Sequence, residues 1–98
     1  MIYITAVKYV KKEKQTEFVA MAEELIVNTR LEEGCVSYKL TKSIHDEEVL
    51  AFVEVWANRE CAIDKHQSTA HFKKCVPMLG ELCFKDGHLF VTSDDDSI

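Results

Sequence analysis

Two histidines, His66 and His71, lie in the run His66-Gln67-Ser68-Thr69-Ala70-His71-Phe72. A neutral imidazole is the side chain best matched to moving a proton near pH 7. On one unbroken helix a five-residue step is about 140° of rotation, so the two rings would point apart. Ser68 and Thr69 are helix-capping types, and a new helix starting there resets the phase and lets both rings reach one site. His71 then falls in the first turn, where the positive end of the helix dipole disfavours the imidazolium and leaves the ring able to accept a proton. The alternative for each ring is a structural one, tying a loop to backbone carbonyls. No third ligand is spaced near the pair, so no metal site is expected.

Phe52, Glu54 and Trp56 alternate along a β-branched run and share one strand face. An aromatic wall with one carboxylate suits a flat apolar ligand. The same alternation fits a packed core or a subunit seam with Glu54 paired to a lysine or arginine, and parity does not say which face meets the helices. Tyr38 carries the same ambiguity, and Phe72 is a further candidate wall. His45 and His88 lie near turns and read as surface residues. Lys73-Lys74 reads as a solvated face able to attract an anionic group.

The chain has 98 residues, enough for one domain with one modest core. Its 12 Lys+Arg against 17 Asp+Glu give −5, and Asp94, Asp95 and Asp96 supply three of those charges. A basic nucleic-acid-binding surface is excluded as the default. No apolar stretch approaches the ~18 residues of a membrane span, and no secretory signal is visible, so no membrane contact and a cytoplasmic location are expected. Cys35, Cys61, Cys75 and Cys83 show no C-x-x-C spacing and read as reduced, mostly buried thiols.

Residues 2–10 are β-branched and aromatic, apolar on both parities, which predicts a strand covered on both faces. Phe18, Met21, Ala22, Leu25 and Ile26 form one helical stripe, predicting a helix over 15–32 that ends before Gly34. Residues 35–44 and 48–57 predict two strands joined by a turn at His45-Asp46-Glu47. Asn58 is the N-cap type for a short helix to about His66, and Ser68 or Thr69 caps a second over Phe72–Cys83, which Pro77 should bend. Residues 88–92 predict a last strand, and 94–98 an acidic mobile tail outside the 1–93 domain. The order β-α-β-β-α-β predicts the ferredoxin-like α+β arrangement, a four-stranded antiparallel sheet with both helices on one face. Strands that are apolar on both faces leave the other face to be covered, most simply by a second copy.

Three blocks carry a family resemblance. Glu33-Gly34-Cys35-x-x-Tyr38-x-Leu40 resembles the E-P-G-C-x-x-Y-x-L segment of the antibiotic biosynthesis monooxygenase family, with Glu33 in place of its proline. Glu54-x-Trp56 with Asn58-x-Glu60 resembles its third strand and following helix start. His66-x-Ser68-x-x-His71-Phe72 resembles its H-x-x-S-x-H-F segment. The blocks keep the family's order and spacing. The resemblance implies a homodimer of ferredoxin-like units forming a dimeric α/β barrel, each with a cavity between sheet and helices. It also implies one of several activities: cofactor-free oxygenation of quinols and polycyclic phenols, haem degradation, isomerisation of a phosphorylated sugar derivative, or none. The haem-degrading branch carries an asparagine and a histidine where this chain has Val7 and Val76, which argues against haem.

The combined expectation is a cofactor-independent monooxygenase. His71, helped by His66, would take the proton from an aromatic hydroxyl held against Trp56, and the anion would react with molecular oxygen. Phe52, Phe72, Tyr38 and Glu54 would complete the pocket. The partners expected are a second copy and a small aromatic or quinol-type ligand. An isomerase or lyase of a small polar carbonyl compound using the same histidines, or a non-catalytic ligand-binding stress-response dimer, are the alternatives.

Overall fold

The computed structural model describes residues 1–95. The β-branched opening forms β1 (Ile2–Tyr9), and the helical stripe forms α1 (Gln15–Thr29) after a short 3-10 turn, Lys12–Lys14. β2 (Cys35–Lys42) and β3 (Val49–Trp56) follow as a hairpin. A π-helical segment, Glu60–Lys65, leads to α2 (Ala70–Glu81) and the last strand β4 (Lys85–Ser93). All strand pairs are antiparallel, in the order β2-β3-β1-β4. This is the expected ferredoxin-like topology.

The two apolar faces of β1 separate cleanly. Ile2, Ile4 and Ala6 are buried with Leu50, Phe52 and Trp56 of β3 and Tyr38 of β2. Phe18, Ala22 and Leu25 of α1 and Cys75 and Leu79 of α2 close that core from the helix side. The opposite parity carries Tyr3, Thr5, Val7, Val53 and Val55, paired in register across β1 and β3, with Phe90 of β4 opposite Thr5. Among the described residues no helix covers this face: α1 and α2 both pack on the other side.

Several boundaries differ from the sequence reading by a few residues. α1 stops at Thr29 instead of 32, because the chain tightens into i→i+3 bonds: Leu31 N donates to Asn28 O at 3.2 Å and Glu32 N to Thr29 O at 2.9 Å. β4 starts three residues before the expected 88, since Phe84 N already bonds Tyr9 O and Lys85 pairs with Tyr9. Pro77 lies inside α2, which continues to Glu81. The four cysteines are free thiols. Of the acidic tail, Asp94 and Asp95 both accept from the amino group of Met1, at 3.0 and 2.9 Å, and Asp94 accepts from the Tyr3 hydroxyl at 2.7 Å. The remaining tail residues, 96–98, lie outside the described residues. Among the described residues no helix is long and apolar enough to cross a membrane.

Candidate functional site

A cavity of about 430 Å³ lies between the sheet and α2. Its floor comes from Ile4, Ala6 and Lys8 of β1, Phe52 and Glu54 of β3, Tyr38 of β2, and Leu89 and Val91 of β4. Its roof comes from Ala62, Ile63, His66 and Gln67, then Phe72, Val76 and Leu79 of α2. The β4 side is the open one, with Leu89 64% and Val91 46% exposed.

His66 is buried in the roof. Asn58 starts the approach to it, its Oδ1 accepting from Cys61 N at 2.9 Å. Aromatic neighbours then fix the ring: Trp56 with centroids 4.8 Å away, Phe72 edge-on at 5.0 Å and Tyr38 edge-on at 5.7 Å. Its Nδ1 lies 2.8 Å from Oε2 of Glu32. The same Oε2 lies 2.6 Å from Nε2 of His71. Thr69 is the cap between the two histidines: its hydroxyl accepts from Phe72 N at 3.2 Å and donates to His66 O at 2.7 Å. The phase does reset there, and the two rings meet through one carboxylate.

A carboxylate that accepts from Nδ1–H sets the tautomer of His66 and leaves Nε2 with its lone pair. Burial pushes the His66 imidazolium down, and the Glu32 hydrogen bond and charge only partly oppose it, so the ring is neutral at neutral pH.

Glu54 faces inward beside His66 and is 6% exposed. Its hydrogen-bond partner is the indole, and among the described residues no lysine or arginine pairs with it: Trp56 Nε1 donates to Glu54 Oε1 at 3.0 Å. Burial raises the Glu54 carboxyl to about 7, against the opposing indole bond and the positive charge of Lys8. The site therefore holds a carboxyl that is half-protonated near neutrality and an imidazole that is unprotonated. Divergent pKa values in one pocket mark an acid and a base. Burial also pushes the Tyr38 hydroxyl up, so it stays protonated.

Of the residues predicted from sequence, His66, Phe52, Glu54, Phe72 and Tyr38 line the cavity. Trp56 is fully buried behind the wall, where it supports His66 and Glu54. His71 is not among the cavity-lining residues; its Nε2 bonds the same Glu32 carboxylate as His66, and the two ring centroids lie 6.3 Å apart. Val76 lines the cavity with no ligand atom to offer. His88, read as a surface residue, is exposed; it borders the cavity, and its ring packs against Tyr9 and Phe90.

Glu32 is the residue that sequence reasoning missed. It is 34 residues from His66 and 39 from His71, so no local spacing connects them. The available signal was its place two residues before Gly34. Gly34 has φ +84°, and a Cβ there would sit 2.6 Å from Cys61 Sγ. Only glycine lets the turn carrying Glu32 approach the segment that delivers His66. No third ligand is spaced near the pair along the chain; in the fold Glu32 brings a third donor atom beside the two histidines.

The sequence profile described as antibiotic biosynthesis monooxygenase matches residues 1–78. A Bacillus subtilis protein named "Putative monooxygenase YcnE" is 37% identical over 82 residues, covering 84% of this chain and 85% of its own length. The crystal structure of a conserved protein from Methanosarcina mazei Go1 superposes with TM-score 0.89 at 32% identity, covering 93% of this chain and 89% of that one. A crystal structure described as an antibiotic biosynthesis monooxygenase superposes with TM-score 0.86 at 28% identity over 100% of this chain and 99% of the other. With the sequence match and the superposed βαββαβ unit in agreement, the chain belongs to the antibiotic biosynthesis monooxygenase family.

Proposed function

We propose that the protein is a cofactor-independent monooxygenase of a quinol or polycyclic phenol, with His66 as its general base. The observation that carries the reading is His66 on the wall of an apolar, aromatic cavity, its Nδ1 held by Glu32 and its Nε2 left to accept a proton. The hydroxyl proton of the substrate passes to that nitrogen. The resulting anion is electron-rich enough to pass one electron to molecular oxygen, and recombination forms a carbon–oxygen bond. For a quinol, substrate plus O2 gives hydroxyquinone plus water, so the substrate supplies every electron and no cofactor is required. The peroxide oxygen that leaves as water must be protonated, and Glu54, held near 7, can deliver that proton. Lys8 at the rim offers a positive charge to the developing oxyanion.

His71 moves from proton acceptor to positioning residue on this reading, because it acts through Glu32. Trp56 likewise supports the wall from behind. The mostly apolar lining favours the oxygenase over an isomerase of a polar carbonyl compound.

The open sheet face, with Val7, Val53, Val55 and Phe90, supports pairing with a second copy of the same face.

The test is oxygen uptake with a panel of quinols across pH. His66→Ala should lower turnover by about 10²–10⁴-fold, the contribution of a positioned base. Glu32→Gln and His71→Ala should lose about 10-fold or more while KM changes little. No quinol consumption by the native protein above the uncatalysed rate would remove the oxygenase assignment.

A further inference from the structure

Three donor atoms converge where Glu32, His66 and His71 meet: a carboxylate oxygen, Nδ1 of His66 and Nε2 of His71 all lie within 4.8 Å of one another. We propose that these three residues form a binding site for one first-row divalent transition ion of the zinc type, with water completing its coordination.

The ligand set is two imidazoles and one carboxylate. That combination suits Zn2+, Co2+, Ni2+ or Fe2+, whereas Mg2+ and Ca2+ prefer oxygen ligands. The donors come from three separately anchored places. Glu32 sits in the turn after α1, pinned by Glu32 N to Thr29 O at 2.9 Å and Cys35 N to Glu32 O at 3.2 Å. His66 is held by Trp56, Phe72 and Tyr38. His71 lies in the first turn of α2, behind the Thr69 cap. Metal–nitrogen and metal–oxygen distances of about 2.0–2.2 Å in a tetrahedral site put donors roughly 3.3 Å apart. The present carboxylate–nitrogen contacts of 2.8 and 2.6 Å need to open by less than about 1 Å, and the two ring nitrogens, within 4.8 Å of each other, need to close by up to about 1.5 Å to admit an ion.

Charge favours the same conclusion. The Glu32 side chain is 11% exposed, and among the described residues its ion-pair contacts are the two histidine rings, with no lysine or arginine within 4.0 Å. A buried carboxylate needs a cation or strong hydrogen-bond donors. Here the ring nitrogens 2.8 and 2.6 Å away surround it, and a metal ion would take those same nitrogens as ligands.

The proposal does not depend on the reaction. If the reading of His66 as base holds, an ion on Nδ1 leaves the ring proton on Nε2 and the loaded protein lacks its base.

The experiment is Co2+ titration of the purified, chelator-treated protein, followed by visible d–d absorption, with Zn2+ back-titration and thermal unfolding in parallel. The expected result is saturation at one ion per chain, displacement of Co2+ by Zn2+, no sulfur-to-cobalt charge-transfer band, and a rise in Tm with Zn2+. Glu32→Gln and His71→Ala should each weaken binding by at least about tenfold and cancel the Tm rise. Cys61→Ser and Cys75→Ser should leave the cobalt spectrum unchanged. Circular dichroism establishes that each variant is folded, and His71→Ala, at a half-buried position, is the variant least exposed to a folding defect. Absence of stoichiometric binding at millimolar ion, or binding unaffected by both Glu32→Gln and His71→Ala, would overturn the site.

Discussion

Replacing Glu54 by glutamine isolates the cost of one buried carboxyl. The glutamine keeps an oxygen for the Trp56 indole bond of 3.0 Å and removes the ionisable proton. In the fold the carboxyl titrates at about 7, against an ordinary value of 4.5, chiefly because burial disfavours the anion. At 1.36 kcal/mol per pKa unit that gap corresponds to about 3 kcal/mol. Because the folded value is the higher one, the folded chain keeps its proton where the unfolded chain releases it. The contribution of Glu54 is therefore most favourable below about 4.5, falls as pH rises, and is lost above about 7. Glutamine shows no such dependence. Relative to the native protein, Glu54→Gln should gain about 3 kcal/mol between pH 4.5 and pH 8, and become the more stable of the two at pH 8. For a domain of this size 1 kcal/mol moves Tm by about 4–8 °C, so the two melting curves should shift against each other by roughly 12–24 °C across that range. Urea and thermal unfolding of both proteins, at matched concentration and at pH 4.5, 6 and 8, measure it. A difference between the two that stays constant with pH would refute the placement of an unpaired carboxyl in this wall.

Gly34→Ala should destabilise the fold by about 1–3 kcal/mol, since alanine at φ +84° is strained and its Cβ meets Cys61 at 2.6–2.7 Å; the urea midpoint reads this directly. Sedimentation equilibrium at micromolar concentration should find a dimer, and a clean species near 11.2 kDa would refute the pairing of open sheet faces. Val53→Asp, on that open face, should shift the population toward monomer while leaving far-ultraviolet circular dichroism native.

What was legible in the sequence followed from how far apart the interacting residues lie along the chain. The strand and helix order rests on local periodicity, so Phe18, Ala22 and Leu25 on one helix face and the β-branched runs of β1 and β3 announced themselves. Which face of β3 looks inward was not decidable from Val49–Trp56, since both parities are apolar apart from Glu54, and a carboxylate argues for the wet side. The structure turns Glu54 inward because Trp56, two residues on, supplies its indole N–H from the same face. The histidine pair was legible as chemistry, but its geometry was not. Thr69 does restart the helix, yet a phase reset alone brings the rings only near each other. What joins them is Glu32, delivered by a turn whose requirement for glycine is written at Gly34 and whose reason, the thiol of Cys61 pressed against it, lies 27 residues further on. The site is thus assembled where the turn after α1 meets the helix break before α2, each locally readable, whose contact no local pattern records. It follows that the sensitive positions are not the rings alone: Gly34, Thr69 and Asn58 fix the distances at which one carboxylate can serve both histidines, and changes there should separate His66 from Glu32 without touching either side chain.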